Sequence, residues 1–138
     1  MARDHAINNK VDDRCEYREA DAFEELRRLE RAGERFGLVI LDPPSFARSK
    51  QAVPQALAGY KQVNLRALRL VAPDGVLVSC SCSHHVSEEQ FWSMLQEAAR
   101  DAKRRLRLIE RRSQARDHPV LAAMPETRYL KCFIVQVL

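Results

Sequence analysis

The 138-residue sequence contains no uninterrupted apolar run near the roughly 20 residues that a membrane-spanning helix requires. Its first ten residues, MARDHAINNK, lack the apolar stretch of a secretory signal. Cytoplasmic residence is therefore expected, and with it reduced thiols. Cysteine is sparse, with 4 in the chain, and Cys80-Ser81-Cys82 is not the Cys-x-x-Cys spacing of a zinc or thioredoxin site. His84 and His85 lie nearby, but no second ligand pair of the usual spacing follows, so no metal is expected. Internal repeats and low-complexity stretches are also missing. What remains is the composition of one globular domain, 46% hydrophobic and 30% charged.

The charge is uneven. Net charge is +4, and residues 100–116, RDAKRRLRLIERRSQAR, hold many Lys and Arg against only Asp101 and Glu110. Such a cluster suits a polyanion such as RNA. A solvated helix end and strand face would read the same way, so the charge alone decides nothing.

Strand-like and helix-like segments alternate. Residues 2–9 read as the end of a helix and Arg14 to Arg18 as a short strand. Asp21 then caps a charged amphipathic helix, AFEELRRLERA, that stops at Gly33. Residues 36–41, FGLVIL, form the nearly continuous apolar run of a strand buried on both faces of a parallel sheet. Asp42-Pro43-Pro44 ends it, because proline donates nothing to a ladder. A helix from Pro54 to Val71, a Pro73-Asp74-Gly75 turn and a second apolar strand from Val76 follow. Ser87-Glu88-Glu89-Gln90 reads as a capping box opening a helix to about Lys103. Strands at Leu106–Glu110 and Tyr129 to Val137 close the chain with no helix between them, which predicts an antiparallel return. The reading is α/β, with ligands at the carboxyl ends of the strands.

Two loops leave the carboxyl ends of the most apolar strands, LDPPSF at 41–46 and SCSCSHH at 79–85. If those strands are neighbours, Asp42 and Cys82 line one crevice. An acid beside a thiol suits covalent catalysis on an electron-poor ring or carbonyl. The helix opening near Ser87 would aim its amides at the same crevice, favouring a thiolate or a phosphate. A small buried core residue is the other reading of Cys82, and these residues alone leave the two even. Cys80 is expected in the core, pointing away from the neighbours of Cys82. Cys15 and Cys132 are likewise read as core residues of strands.

The blocks VILDPPSFARSK, GYKQVNLRAL, DGVLVSCSCS and QARDHPVLAAMPETRYLKCF resemble, in order and spacing, those of the bacterial 23S ribosomal RNA large-subunit cytosine-5 methyltransferases. These are Rossmann-like class I enzymes that use S-adenosylmethionine and usually carry an N-terminal PUA domain. The resemblance runs from about residue 4 to the end. It implies that Asp21 contacts the adenine of the cofactor, and that Asp42 and Pro43 flank its methionine moiety and the target base. Cys82 matches the nucleophile. Pro44, Phe46, Tyr60, Lys61, Asn64 and His118 fall in blocks that imply substrate contact, with a structural part equally open for Tyr60 and Asn64.

The implied chemistry explains the residue types. Cytosine C5 is a poor nucleophile, and addition of the Cys82 thiolate to C6 makes it enamine-like. Asp42 would hydrogen-bond N3 or N4 and stabilise the developing charge. Asp-Pro-Pro also occurs in amino-group methylases, but those usually place an aromatic directly after the second proline, where Ser45 stands here. A non-catalytic RNA-binding or assembly fragment is the other alternative.

The sequence departs from the family pattern at its N-terminal side. The first strand, its Gly-rich loop, the second strand and the PUA domain have no counterpart here, so residues 1–138 read as a single partial methyltransferase domain. Two further expectations follow: the isolated chain lacks about half of the cofactor pocket, and the strand at Phe36–Leu41 has an open edge. A homodimer, a swapped assembly or a companion segment would cover that edge.

Overall fold

Helix ends set the frame. The structure, a computed structural model, describes residues 2–138. After α1 (Ala2–Asn8), the Asp21 side chain accepts from Glu24 N at 3.1 Å and so caps α2 (Ala22–Arg31). Gly33, at φ 73°, ends that helix as expected. Its left-handed conformation lets Glu34 N reach back to Leu29 O at 3.1 Å. The capping box is present as well: Ser87 Oγ accepts from Gln90 N, and the Gln90 side chain accepts from Ser87 N, at the start of α4 (Glu88–Asp101).

Between these lie β1 (Phe36–Leu41), α3 (Val53–Leu70) and β2 (Val71–Ser81). The chain closes with β3 (Leu106–Arg112) and β4 (Lys131–Val137). The four strands make one sheet in the order β1-β2-β4-β3. β1 and β2 are parallel neighbours joined by α3, and β4 runs antiparallel to both β2 and β3. This is the expected α/β sheet with a reversed last strand.

The core lies between one sheet face and the helices. Tyr60, Ala67 and Leu68 of α3 and Phe91, Leu95 and Ala98 of α4 bury themselves with Leu77, Phe133, Val135 and Val137. At α2, Glu30 is held by Arg69 at 2.7 Å and by Arg66 at 2.8 Å, which ties that helix to α3. The Arg69 hydrogen bond, against some desolvation, holds the Glu30 carboxyl below the usual range.

Three expectations are corrected. Arg14 to Arg18 form no strand: Asp12–Arg14 make a 3-10 turn, and the extended residues after it join no ladder among the described residues. Cys15 is therefore exposed rather than core. β1 is not buried on both faces, because the helices cover only one face of the sheet, and its outward-facing Leu38 and Ile40 are 54% and 62% exposed. The third concerns Pro73-Asp74-Gly75, which belongs to a long excursion within β2 and does not precede the strand. The register steps from Phe36↔Val71 to Leu38↔Val76 across it.

Candidate active site

The register Leu41↔Ser79 brings the carboxyl ends of β1 and β2 side by side. Asp42 follows one and Cys82 the other. Asp42 is exposed and makes no hydrogen bond or ion pair among the described residues, although its charge acts on the Cys80 thiol. Beside it lies a cavity of about 450 Å³. Asp21, Phe23 and Leu26 of the α2 start, Ile40 and Asp42 at the β1 end, and Pro43, Pro44 and Phe46 of the following loop line it. Asp21, Asp42, Pro43, Pro44 and Phe46 thus come together from two separate stretches of sequence.

A buried hydroxyl knot holds the two loops in place. Ser83 Oγ lies 2.8 Å from Ser45 Oγ and 2.8 Å from the Tyr60 hydroxyl, and it accepts from Ala47 N at 3.4 Å. Phe46 N donates to the same Tyr60 hydroxyl at 3.4 Å, and the two rings stand 4.5 Å apart. Gly59 allows this packing, since a Cβ there would sit 3.3 Å from the Phe46 ring. One turn along α3, buried Asn64 donates to Tyr60 O at 2.8 Å and accepts from Ser79 Oγ at 2.7 Å. Tyr60 and Asn64 are both about 1% exposed or less, so they brace the crevice from beneath.

Lys61 points elsewhere. It pairs with Asp101 at 2.9 Å and Glu97 at 3.3 Å in the groove between α3 and α4. His118 lies on the exposed loop before β4, its ring edge-on to Tyr129 at 6.4 Å. Tyr129 in turn meets His84 at 5.6 Å, which links that loop to the one bearing Cys82.

The cysteines differ in surroundings. Cys80 faces Cys132 across the β2–β4 pair, and burial, with the Cys132 hydrogen bond second, pushes its thiol up to about 12. Such a thiol stays protonated at neutral pH. Cys80 does not point away from the side of Cys82, because residues two apart in a strand share a face. The alternation shows it: Ser79, Ser81 and Ser83 are buried, whereas Cys80 and Cys82 are half-buried. No group of three or more His, Cys, Asp or Glu suited to a metal occurs among the described residues.

Two site residues escaped the sequence reading. Ser83 looked like the tail of a Ser-Cys-Ser block. Lys131 carried a signal that went unread: it is a lysine on the inward side of an alternating apolar strand, KCFIVQV. It is 7% exposed, and its amine donates to Ser83 O and, at 2.9 Å, to Tyr129 O. The capping box of α4 satisfies the Ser87 and Gln90 amides, and a small cavity at that helix start is lined by His84, Glu88, Arg128 and Lys131, among others.

No protein-family model matches the chain. Among curated proteins it is 44% identical over 137 residues to ribosomal RNA large subunit methyltransferase I of Shewanella frigidimarina (strain NCIMB 400), covering 99% of this chain and 34% of that protein. The protein of that name from Tolumonas auensis is 38% identical over 139 residues, covering all of this chain and 35% of its own length. Among solved structures, a candidate SAM-dependent methyltransferase from Streptococcus mutans superposes with a TM-score of 0.70 at 19% identity, over 85% of this chain and 29% of that one. A candidate methyltransferase solved with S-adenosylhomocysteine gives 0.65 at 20% identity, over 85% and 30%. The chain thus has a Rossmann-like methyltransferase fold and is similar, along its whole length, to about a third of ribosomal RNA large subunit methyltransferase I.

Proposed function

We propose that this chain carries the catalytic side of an S-adenosylmethionine-dependent methyltransferase that makes 5-methylcytosine in ribosomal RNA, with Cys82 as nucleophile. One observation carries the reading: the cavity of Asp21, Asp42 and Pro43 opens at the strand ends where Cys82 stands one strand away. The cavity fits the cofactor chemically. Phe23, Leu26, Ile40 and Phe46 offer apolar walls for a nucleoside, and the two carboxylates suit its amino groups and sulfonium charge. Asp21 would hold the adenine end, and Asp42 with Pro43 the methionine end. S-adenosylmethionine, when bound, supplies the methyl group.

The residues of the chain then divide the work. The Cys82 thiolate adds to C6 of the cytosine and C5 takes the methyl group. C5 then gives its proton to solvent water, and elimination re-forms the C5–C6 double bond and releases the thiolate. Asp42, which makes no hydrogen bond or ion pair among the described residues, accepts from the N4 amino group and holds the base against the sulfur. Pro44 and Phe46 face the base, and His118 approaches through Tyr129. RNA meets the basic surface of the α4 end and β3, where Arg100, Lys103, Arg105, Arg107, Arg111 and Arg112 are exposed.

The test is to incubate the chain with S-adenosylmethionine and ribosomal RNA, then digest to nucleosides for mass spectrometry. The expected product is 5-methylcytidine, lost in Cys82→Ala. An N-methylated base that persists in Cys82→Ala would assign an amino-group methylase instead. RNA binding without any methylated nucleoside would reduce the chain to a binding fragment.

A further inference from the structure

Lys131 is a buried ammonium with no carboxylate bonded to it. It is 7% exposed, forms no salt bridge among the described residues, and fills two of its three donor positions with the carbonyls of Ser83 and Tyr129. An uncompensated charge at such a site is costly, and an uncharged residue of similar length would be cheaper there. A fold that needed only to pack β4 would place an apolar residue at this position, as it does at Phe133, Val135 and Val137.

The missing counter-charge points to the neighbour. The Ser83 carbonyl that holds the amine belongs to the residue directly after Cys82. The backbone register pairs Lys131 with Ser81, directly before it. The ammonium is thus held by the residue that directly follows Cys82, close enough that a Cys82 thiolate raises the proton affinity of the amine.

We propose that the Lys131 ammonium, fixed by the carbonyls of Ser83 and Tyr129, is the positioning charge that stabilises the Cys82 thiolate. The role rests on the reading of Cys82 as nucleophile. The thiol proton leaves to solvent, and Lys131 keeps its own protons throughout. Charged groups that bear on the pair are few: Glu88 of α4, itself engaged by Arg128 and Arg111, acts on Lys131, and His84 and Tyr129 flank it. Burial lowers the proton affinity of Lys131, partly offset by Cys82 and Glu88. Its support for the thiolate is thus present while the amine is protonated and lost as pH rises through that lowered value.

The experiment is alkylation of the intact chain with iodoacetamide across pH, with each cysteine followed by tandem mass spectrometry. In the wild-type chain, half-buried Cys82 is expected to react faster at pH 7 than exposed Cys15. Lys131→Gln keeps a donor for the carbonyls but loses the charge, and should slow Cys82 about tenfold, the effect of one unit of thiol acidity. Lys131→Arg keeps the charge and should hold the wild-type rate. Equal effects of the two variants, or no effect of either, would overturn the proposal. So would a wild-type Cys82 no faster than Cys15, a comparison that needs no variant to fold. Because the readout needs neither RNA nor cofactor, an intact coupling with no methylated RNA would sink the proposed function alone.

Discussion

The Tyr60 hydroxyl lies 2.8 Å from Ser83 Oγ, in a pocket where both residues are essentially fully buried. That contact joins α3 to the loop bearing Cys82, and the 2.8 Å contact from Ser83 to Ser45 extends it to the Asp42 loop. The crevice is shaped by this knot more than by either loop alone. Ser83→Ala would leave the Tyr60 hydroxyl with only the 3.4 Å contact from Phe46 N and strand the Ala47 amide, at a cost of about 1–3 kcal/mol. Thermal unfolding should show the loss. A change under about 0.5 kcal/mol, as at an ordinary surface serine, would mean that the knot does not hold the loops.

Glu30 gives a pH signature. Its folded-state carboxyl is held low by Arg69 and Arg66, so it contributes stability above the unfolded value, near 4.3 for glutamate. That contribution disappears as pH falls through the lower folded value. Glu30→Gln should therefore cost about 0.5–1 kcal/mol at pH 7, the range of a partly exposed pair. The two chains should converge in stability in acid. A gap that persists to pH 2 would contradict the ion-pair account.

Among the described residues the outer edge of β1 has no strand beside it, and Leu38 and Ile40 stand open on its face. Unpaired apolar edges recruit other strands. Light scattering at tens of micromolar should give a mass near twice the 15.9 kDa of one chain, and Ile40→Lys should return it to one. A wild-type monomer at that concentration would refute self-association through this edge.

Helix boundaries were the legible part of the fold, because caps are local. Asp21, Gly33 and the Ser87–Gln90 box each act within four residues of themselves. The parallel β1–β2 pair was legible too, since two apolar runs separated by a helix favour that crossover. What failed depended on neighbours. A strand at Arg14–Arg18 needs a partner strand, and burial of both faces of β1 needs layers that these residues do not supply. At the site, Asp42 and Cys82 were legible as residues ending apolar strands. Ser83 was not, because its meaning lies in contacts with Tyr60 and Ser45 far away in sequence. The alternation of β4 marks Lys131 as inward, but its contact with Ser83, 48 positions away, is encoded by no local pattern.

The most direct measurement is calorimetric titration of the chain with S-adenosylhomocysteine. Saturable binding, weaker than a complete pocket would give and abolished by Asp42→Ala, is the predicted result. Absence of heat up to millimolar ligand would contradict the claim that the cavity of Asp21, Asp42 and Pro43 holds the cofactor in this chain.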